Sequence, residues 1–93
     1  MGIRYKLEYG GKFVKDLKLA KRRGLDLSQL KTVTDMLQEG TPLPDKYRDH
    51  VLTGNYRGYR ECHINPDWLL IYSRKETVRI VSLYRTGTHS DLF

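Results

Sequence analysis

From Ile3 to Tyr9 apolar and polar residues alternate without a break, the pattern of a strand with one buried face. Gly10-Gly11 releases the chain into a helix predicted over 12–23, where Phe13, Leu17 and Ala20 share a face with Val14 beside them, and Gly24 provides a C-terminal cap. Asp26-Leu27-Ser28-Gln29 has the spacing of a capping box. It opens a second helix whose buried face is Leu27, Leu30, Val33 and Leu37, ended by Gly40. Pro42 and Pro44 then impose an extended connector. Tyr47 to His50 fits a loop or a short helix, and Thr53-Gly54-Asn55 reads as a turn. From Tyr56 the chain is strand-like: Tyr59, Glu61 and His63 alternate with Arg60, Cys62 and Ile64, so the set ending in His63 faces one side and Cys62 and Ile64 face the other. Asn65-Pro66-Asp67 makes a turn, and Trp68 to Ser73 is a continuous apolar strand suited to a sheet centre. Arg74-Lys75-Glu76 turns the chain back into a last strand over 77–84, with Arg85 at its end.

The order strand, helix, helix, three strands predicts an α+β fold over a single domain, 1–93. An antiparallel sheet of about four strands is expected, the last three as a meander and the first added beside them. The N-terminal helical hairpin has apolar stripes to bury, and the sheet offers one face on which to pack them.

Charge narrows the partners. Seventeen Lys and Arg against eleven Asp and Glu, with a pI near 9.6, favour a polyanion such as nucleic acid, an acidic protein or a membrane surface. Lys15, Lys18 and Arg22 lie opposite the apolar stripe of the first helix, either as a solvated face or as an RNA-facing patch. A single Cys62 excludes an internal disulfide; with no leader-like apolar stretch and nothing of membrane-spanning length, the chain reads as a reduced, cytoplasmic protein.

All three histidines fall in or near the second half's most distinctive segment, Tyr59 to Asp67: His50 ahead of it, His63 within it and His89 behind it. Cleaving RNA by internal transesterification needs a base for the 2′-hydroxyl, an acid for the leaving 5′-oxygen and a cation for the charged phosphorane. His50, His63, His89, Asp67, Arg60 and Arg85 include the types for each task, and Trp68, Tyr72 and Phe93 can hold bases by stacking. Trp68 ahead of Leu69-Leu70-Ile71 also fits a core aromatic. A zinc site built from the three imidazoles and Asp67 is the competing chemistry, but the spacing lacks the usual close ligand pair. No metal and no cofactor is expected.

Asp49-His50, Leu52 with Gly54, Gly58 to Ile64, Pro66-Asp67-Trp68-Leu69-Leu70-Ile71-Tyr72 and the terminal Arg85 to Phe93 together closely resemble the YafQ branch of the RelE/ParE toxin superfamily. The resemblance covers nearly the whole chain in element order and is continuous in motif from His50 onwards. It implies a RelE-like fold and a type II toxin: a ribosome-dependent endoribonuclease that cleaves messenger RNA, restrained by a cognate antitoxin with an acidic, partly helical segment. By the same resemblance His50, His63, Asp67 and His89 fall on catalytic positions, and Trp68, Arg85 and Phe93 shape or line the site. His50 as base, His89 as acid, His63 and Asp67 as positioning groups and Arg85 on the phosphate is the favoured division, and exchanging base and acid fits equally. The superfamily also contains toxins that inhibit DNA gyrase by binding alone; three histidines at motif positions argue against that class.

Overall fold

The structure, a computed structural model, describes residues 4–93; Ile3, where the alternating pattern begins, lies outside them. In chain order the elements are β1 (Lys6–Tyr9), α1 (Gly11–Arg22), α2 (Leu27–Glu39), β2 (His50–Val51), β3 (Arg60–Asn65), β4 (Trp68–Lys75), β5 (Ile80–Gly87) and α3 (His89–Leu92), with single 3-10 turns at Asp45–Tyr47 and Gly54–Tyr56.

Five strands, not four, form the sheet, in the order β1-β5-β4-β3-β2. The extra strand is β2, which pairs His50 with Glu61 and Val51 with Arg60. Two residues cannot display a period, so this strand is invisible to patterning. The meander β3-β4-β5 is antiparallel, and β1 joins it parallel to β5. The apolar run of β4 takes the central position and is buried from Trp68 to Tyr72. The last strand begins three residues later than its β-branched start suggests: Glu76 to Arg79 form the reversal, with Arg79 at φ 54°. A bulge between Ile71 and Tyr72 leaves Tyr84 as an extra residue on β5.

Both helices pack on one face of the sheet. Phe13 and Ala20 of α1 and Leu30, Val33 and Leu37 of α2 meet Cys62, Ile64, Leu70, Val81 and Leu83 in the main core. Burying side chains such as Phe13 and Leu37 contributes about 1.5–3 kcal/mol each. The expected capping box at α2 is half made: Asp26 accepts from the Ser28 amide at 3.0 Å, whereas the Gln29 side chain accepts from Asn65 at the end of β3. Gly40 closes α2 in the left-handed conformation, φ 76°. No helix of the described residues is long and apolar enough to cross a membrane.

A smaller cluster of Leu69, Ile71 and Leu92, bordered by Leu52, Tyr56, Tyr59 and Tyr84, lies on the opposite face. Helices α1 and α2 leave this face open, and only the single turn of α3 lies against it.

Candidate active site

Strand alternation sends Arg60, Cys62 and Ile64 toward the helices, and Glu61 and His63 toward the open face. Register then assembles the site. Because β2 pairs His50 directly with Glu61, the two imidazoles of His50 and His63 flank one carboxylate, each Nε2 3.6 Å from Glu61 Oε1. Glu61 is only 4% exposed, whereas half of the His50 side chain is open to solvent. The His50 Nδ1 lies 2.7 Å from the Arg48 carbonyl. A carbonyl only accepts, so Nδ1 carries a proton and donates it to Arg48, which leaves Nε2 as the nitrogen that faces Glu61.

His89 arrives from the third direction. Its ring centroid is 6.4 Å from that of His63 and 5.5 Å from that of Phe93. It opens α3, a single helical turn held by a full capping box in which Thr88 Oγ1 accepts from the Asp91 amide and Asp91 accepts from the Thr88 amide. Asp91 also takes two hydrogen bonds from the Arg23 guanidinium, which, ahead of the Thr88 amide, holds its carboxyl far below the usual carboxylate range. Leu92 is buried, and its carbonyl accepts from Tyr56 Oη at 2.8 Å. The chain end is thereby fixed against the sheet. Phe93 remains 58% exposed, with its ring edge-on to Tyr56.

Asp67 is exposed in the β3–β4 turn, where its backbone amide donates to Asn65 Oδ1. That turn closes the end of the sheet at which His63, Leu69 and Gly87 stand in one row. Arg85 is not a free cation: Asp16 of α1 accepts from its Nε at 2.6 Å and Nη2 at 3.1 Å, and also from the Thr86 amide.

Three residues expected to contact RNA are engaged elsewhere. Trp68 is 1% exposed in the main core, with its indole N–H donating to Thr86 Oγ1 at 2.7 Å, so it supports β5 from beneath and offers no face for stacking. Tyr72 is fully buried and donates to Asp49. Burial first, then this carboxylate, pushes its phenol well up, and it stays neutral. Arg60 shares the helix-side face with Cys62 and bridges to Asp49 at 2.9 Å, away from the histidines. Together Arg60 and Tyr72 clamp Asp49, the residue before His50, and so fix the entry to β2. Lys15, Lys18 and Arg22 are exposed and, with Lys21, border one shallow depression on α1.

Sequence reasoning passed over Glu61, Asp16 and Asp91. Glu61 was legible as a partner of His63 on one strand face; its contact with His50 needed the register. Among the described residues no group of three or more His, Cys, Asp and Glu side chains is placed to hold a metal.

Comparison with known proteins extends the motif likeness to the helical half. The family described as "Bacterial toxin of type II toxin-antitoxin system, YafQ" matches residues 5–93. The chain is 46% identical over 92 residues, 98% of each protein, to the "mRNA interferase toxin YafQ" of Escherichia coli. The crystal structure of Escherichia coli YafQ is similar with a TM-score of 0.90 at 42% identity, covering 97% of this chain and 99% of that one. The toxin chain of the Escherichia coli DinJ-YafQ toxin-antitoxin complex matches with a TM-score of 0.88 at 42% identity, covering 98% and 99%. With the same elements in the same order and sequence identity spread across them, this chain belongs to the YafQ family of bacterial type II toxins.

Proposed function

We propose that this chain is an mRNA interferase, an endoribonuclease toxin that cuts messenger RNA on the ribosome by acid-base transesterification and is held inactive by a cognate antitoxin. The observation that carries the mechanism is the gathering on the open sheet face of two imidazoles beside one buried carboxylate, with the third imidazole, His89, next to His63. The mRNA interferase assigned to the Escherichia coli relative carries the substrate class.

In this reading His50 Nε2 takes the proton of a 2′-hydroxyl, and the 2′-oxygen attacks phosphorus. The bond from phosphorus to the 5′-oxygen breaks as protonated His89 delivers its proton to that oxygen, leaving a 2′,3′-cyclic phosphate and a 5′-hydroxyl. Glu61 stabilises the imidazolium that forms on His50 and aligns His63. Its 3.6 Å distances are in ion-pair range and shorten when substrate compresses the site, as is common in unliganded enzymes. Arg85, with two of its five N–H donors spent on Asp16, presents the other three toward the phosphate, and Asp67 orients the nucleotide beside His63. Base and acid exchange roles without changing the overall balance. An acidic, partly helical antitoxin segment covers this basic surface, as charge complementarity favours. The DinJ-YafQ complex supplies the precedent for a toxin held by a protein partner.

The test is induced expression with primer-extension mapping of a reporter transcript, with and without its translation. Cuts in register with the reading frame are expected, and His50→Ala, His63→Ala, Asp67→Ala and His89→Ala should each lose growth arrest while remaining folded and antitoxin-bound. Full toxicity in both the His50 and the His89 variants would remove the acid-base mechanism.

A further inference from the structure

Six aromatic rings form an unbroken path across the open face of the sheet. From the histidines it runs His63 to His89 (centroids 6.4 Å apart), Phe93 (5.5 Å), Tyr56 (5.2 Å), Tyr84 (6.3 Å) and Tyr59 (4.6 Å). The last pair differs from the others: Tyr59 and Tyr84 stack at an interplanar angle of 23°, remain half-buried, and border an open cavity of about 510 Å³ also lined by Lys75, Ser73 and Ser82, whose hydroxyl is held by Glu8 on the same wall. That volume lies within the range of small-molecule sites. Lys12 Nζ stands 5.8 Å from the Tyr84 ring centroid. The hydroxyls of Tyr5, Tyr56 and Tyr72 donate to Glu76, the Leu92 carbonyl and Asp49; those of Tyr59 and Tyr84, like those of Tyr9 and Tyr47, have no protein partner among the described residues. The pair of Tyr59 and Tyr84 is open, flanked by two lysines and joined to the histidines by rings.

We propose that Tyr59 and Tyr84 are a base-stacking platform for the single-stranded RNA, holding an unpaired nucleobase several nucleotides from the cut while Lys12 and Lys75 meet the phosphates beside it. The proposal rests on the reading of the histidine cluster as an RNA-cleaving centre and names a substrate subsite for it. Stacking on an aromatic face tolerates any base, so the platform supplies affinity and register without sequence preference. Alternation from Val81 and Leu83, which face the helices, places Tyr84 on the open face beside Tyr59.

The probe is a single-stranded RNA dodecamer, 2′-O-methylated throughout so that it cannot be cut, with an abasic residue walked through each position. Binding to the wild-type toxin is measured by anisotropy, beside cleavage of unmodified translated mRNA as an independent readout. One position of the dodecamer should weaken binding about tenfold when its base is removed, within the range for loss of one stacked base. Tyr84→Leu and Tyr59→Leu should weaken binding of the intact RNA to the same degree and be indifferent to that abasic position, and Tyr→Phe at either site should restore both effects. The wild-type walk needs no variant, so a misfolded Leu substitution cannot mask the answer. Cleavage with an evenly insensitive walk overturns the platform and leaves the cleavage reading intact. Neither cleavage nor binding by the wild type overturns both.

Discussion

Glu61 joins burial to charge in a way its strand position alone does not require. A carboxylate 4% exposed is retained where partners compensate its desolvation, and its nearest cationic candidates are the two imidazoles. Glu61→Gln keeps the shape and removes the charge. Single-turnover cleavage on programmed ribosomes is expected to fall at least about tenfold, as for loss of a group that supports a proton-transferring imidazole, with little change in Tm; an unchanged rate would make Glu61 a structural acid only. Asp91 carries a pH dependence of its own. The Arg23 guanidinium depresses its pKa in the folded protein, so its stabilisation is present above the unfolded value near 4 and is lost as pH falls below that toward the folded value. The Tm gap between wild type and Asp91→Asn should therefore be full at pH 7 and shrink progressively below about pH 4. A gap that stays constant down to pH 2 would contradict the assigned partner.

Among the elements, α3 has the least support of its own. One turn of helix is far below the length that is stable in isolation, and it exists here because Thr88, Asp91 and Leu92 tie it to the sheet and to Arg23. Gly87, just before it, has no room for a side chain: an added Cβ would sit 2.9 Å from Asp91 Oδ2 and 3.0 Å from its Cβ. Since α3 carries His89, its order is part of the site. Thr88→Ala removes the N-cap and is expected to cost about 1 kcal/mol. The loss should register as faster hydrogen exchange at the Asp91 and Leu92 amides and a lower cleavage rate, with core amides of β4 unaffected. Uniform acceleration across the protein would mean that α3 unfolds only with the whole. The clamp of Arg60 and Tyr72 on Asp49 does for β2 what the capping box does for α3: each fixes the backbone next to a histidine.

Across the whole molecule the sheet separates two clusters of basic and titratable side chains. The helices cover one face, and the basic side of α1 points to solvent with Lys15, Lys18, Lys21 and Arg22 together, while the histidines occupy the other face. The proposed anchor on ribosomal RNA and the proposed cutting centre on messenger RNA can then be varied independently. Replacing Lys15, Lys18 and Arg22 together with Gln is expected to weaken ribosome co-sedimentation and flatten its salt dependence by about one unit of slope, or slightly less, per lost contact. Single-turnover cleavage with ribosomes in saturating excess should hold. Co-sedimentation unchanged at every salt concentration would return this face to a solvating role.

Much of this architecture was legible beforehand. Periodicity of 3.6 and 2, with the continuous apolar run of β4, placed both helices and four of the five strands, glycines placed the helix ends, and alternation on β3 put Cys62 and Ile64 inside and His63 outside, because these depend on residues close in sequence. The motif string placed the chain among its relatives and singled out the three histidines. What the sequence could not reveal were contacts set by the pairing of distant segments. The two-residue β2, the Glu61 carboxylate shared by His50 and His63, and the capture of Arg85 by Asp16 depend on register across 11 and 69 residues of separation. Trp68 and Tyr72 carry the chemistry of RNA contact in their side chains and are denied it by burial. Side-chain type is local, but solvent access and ion-pair partners are decided only when the sheet closes on the helices.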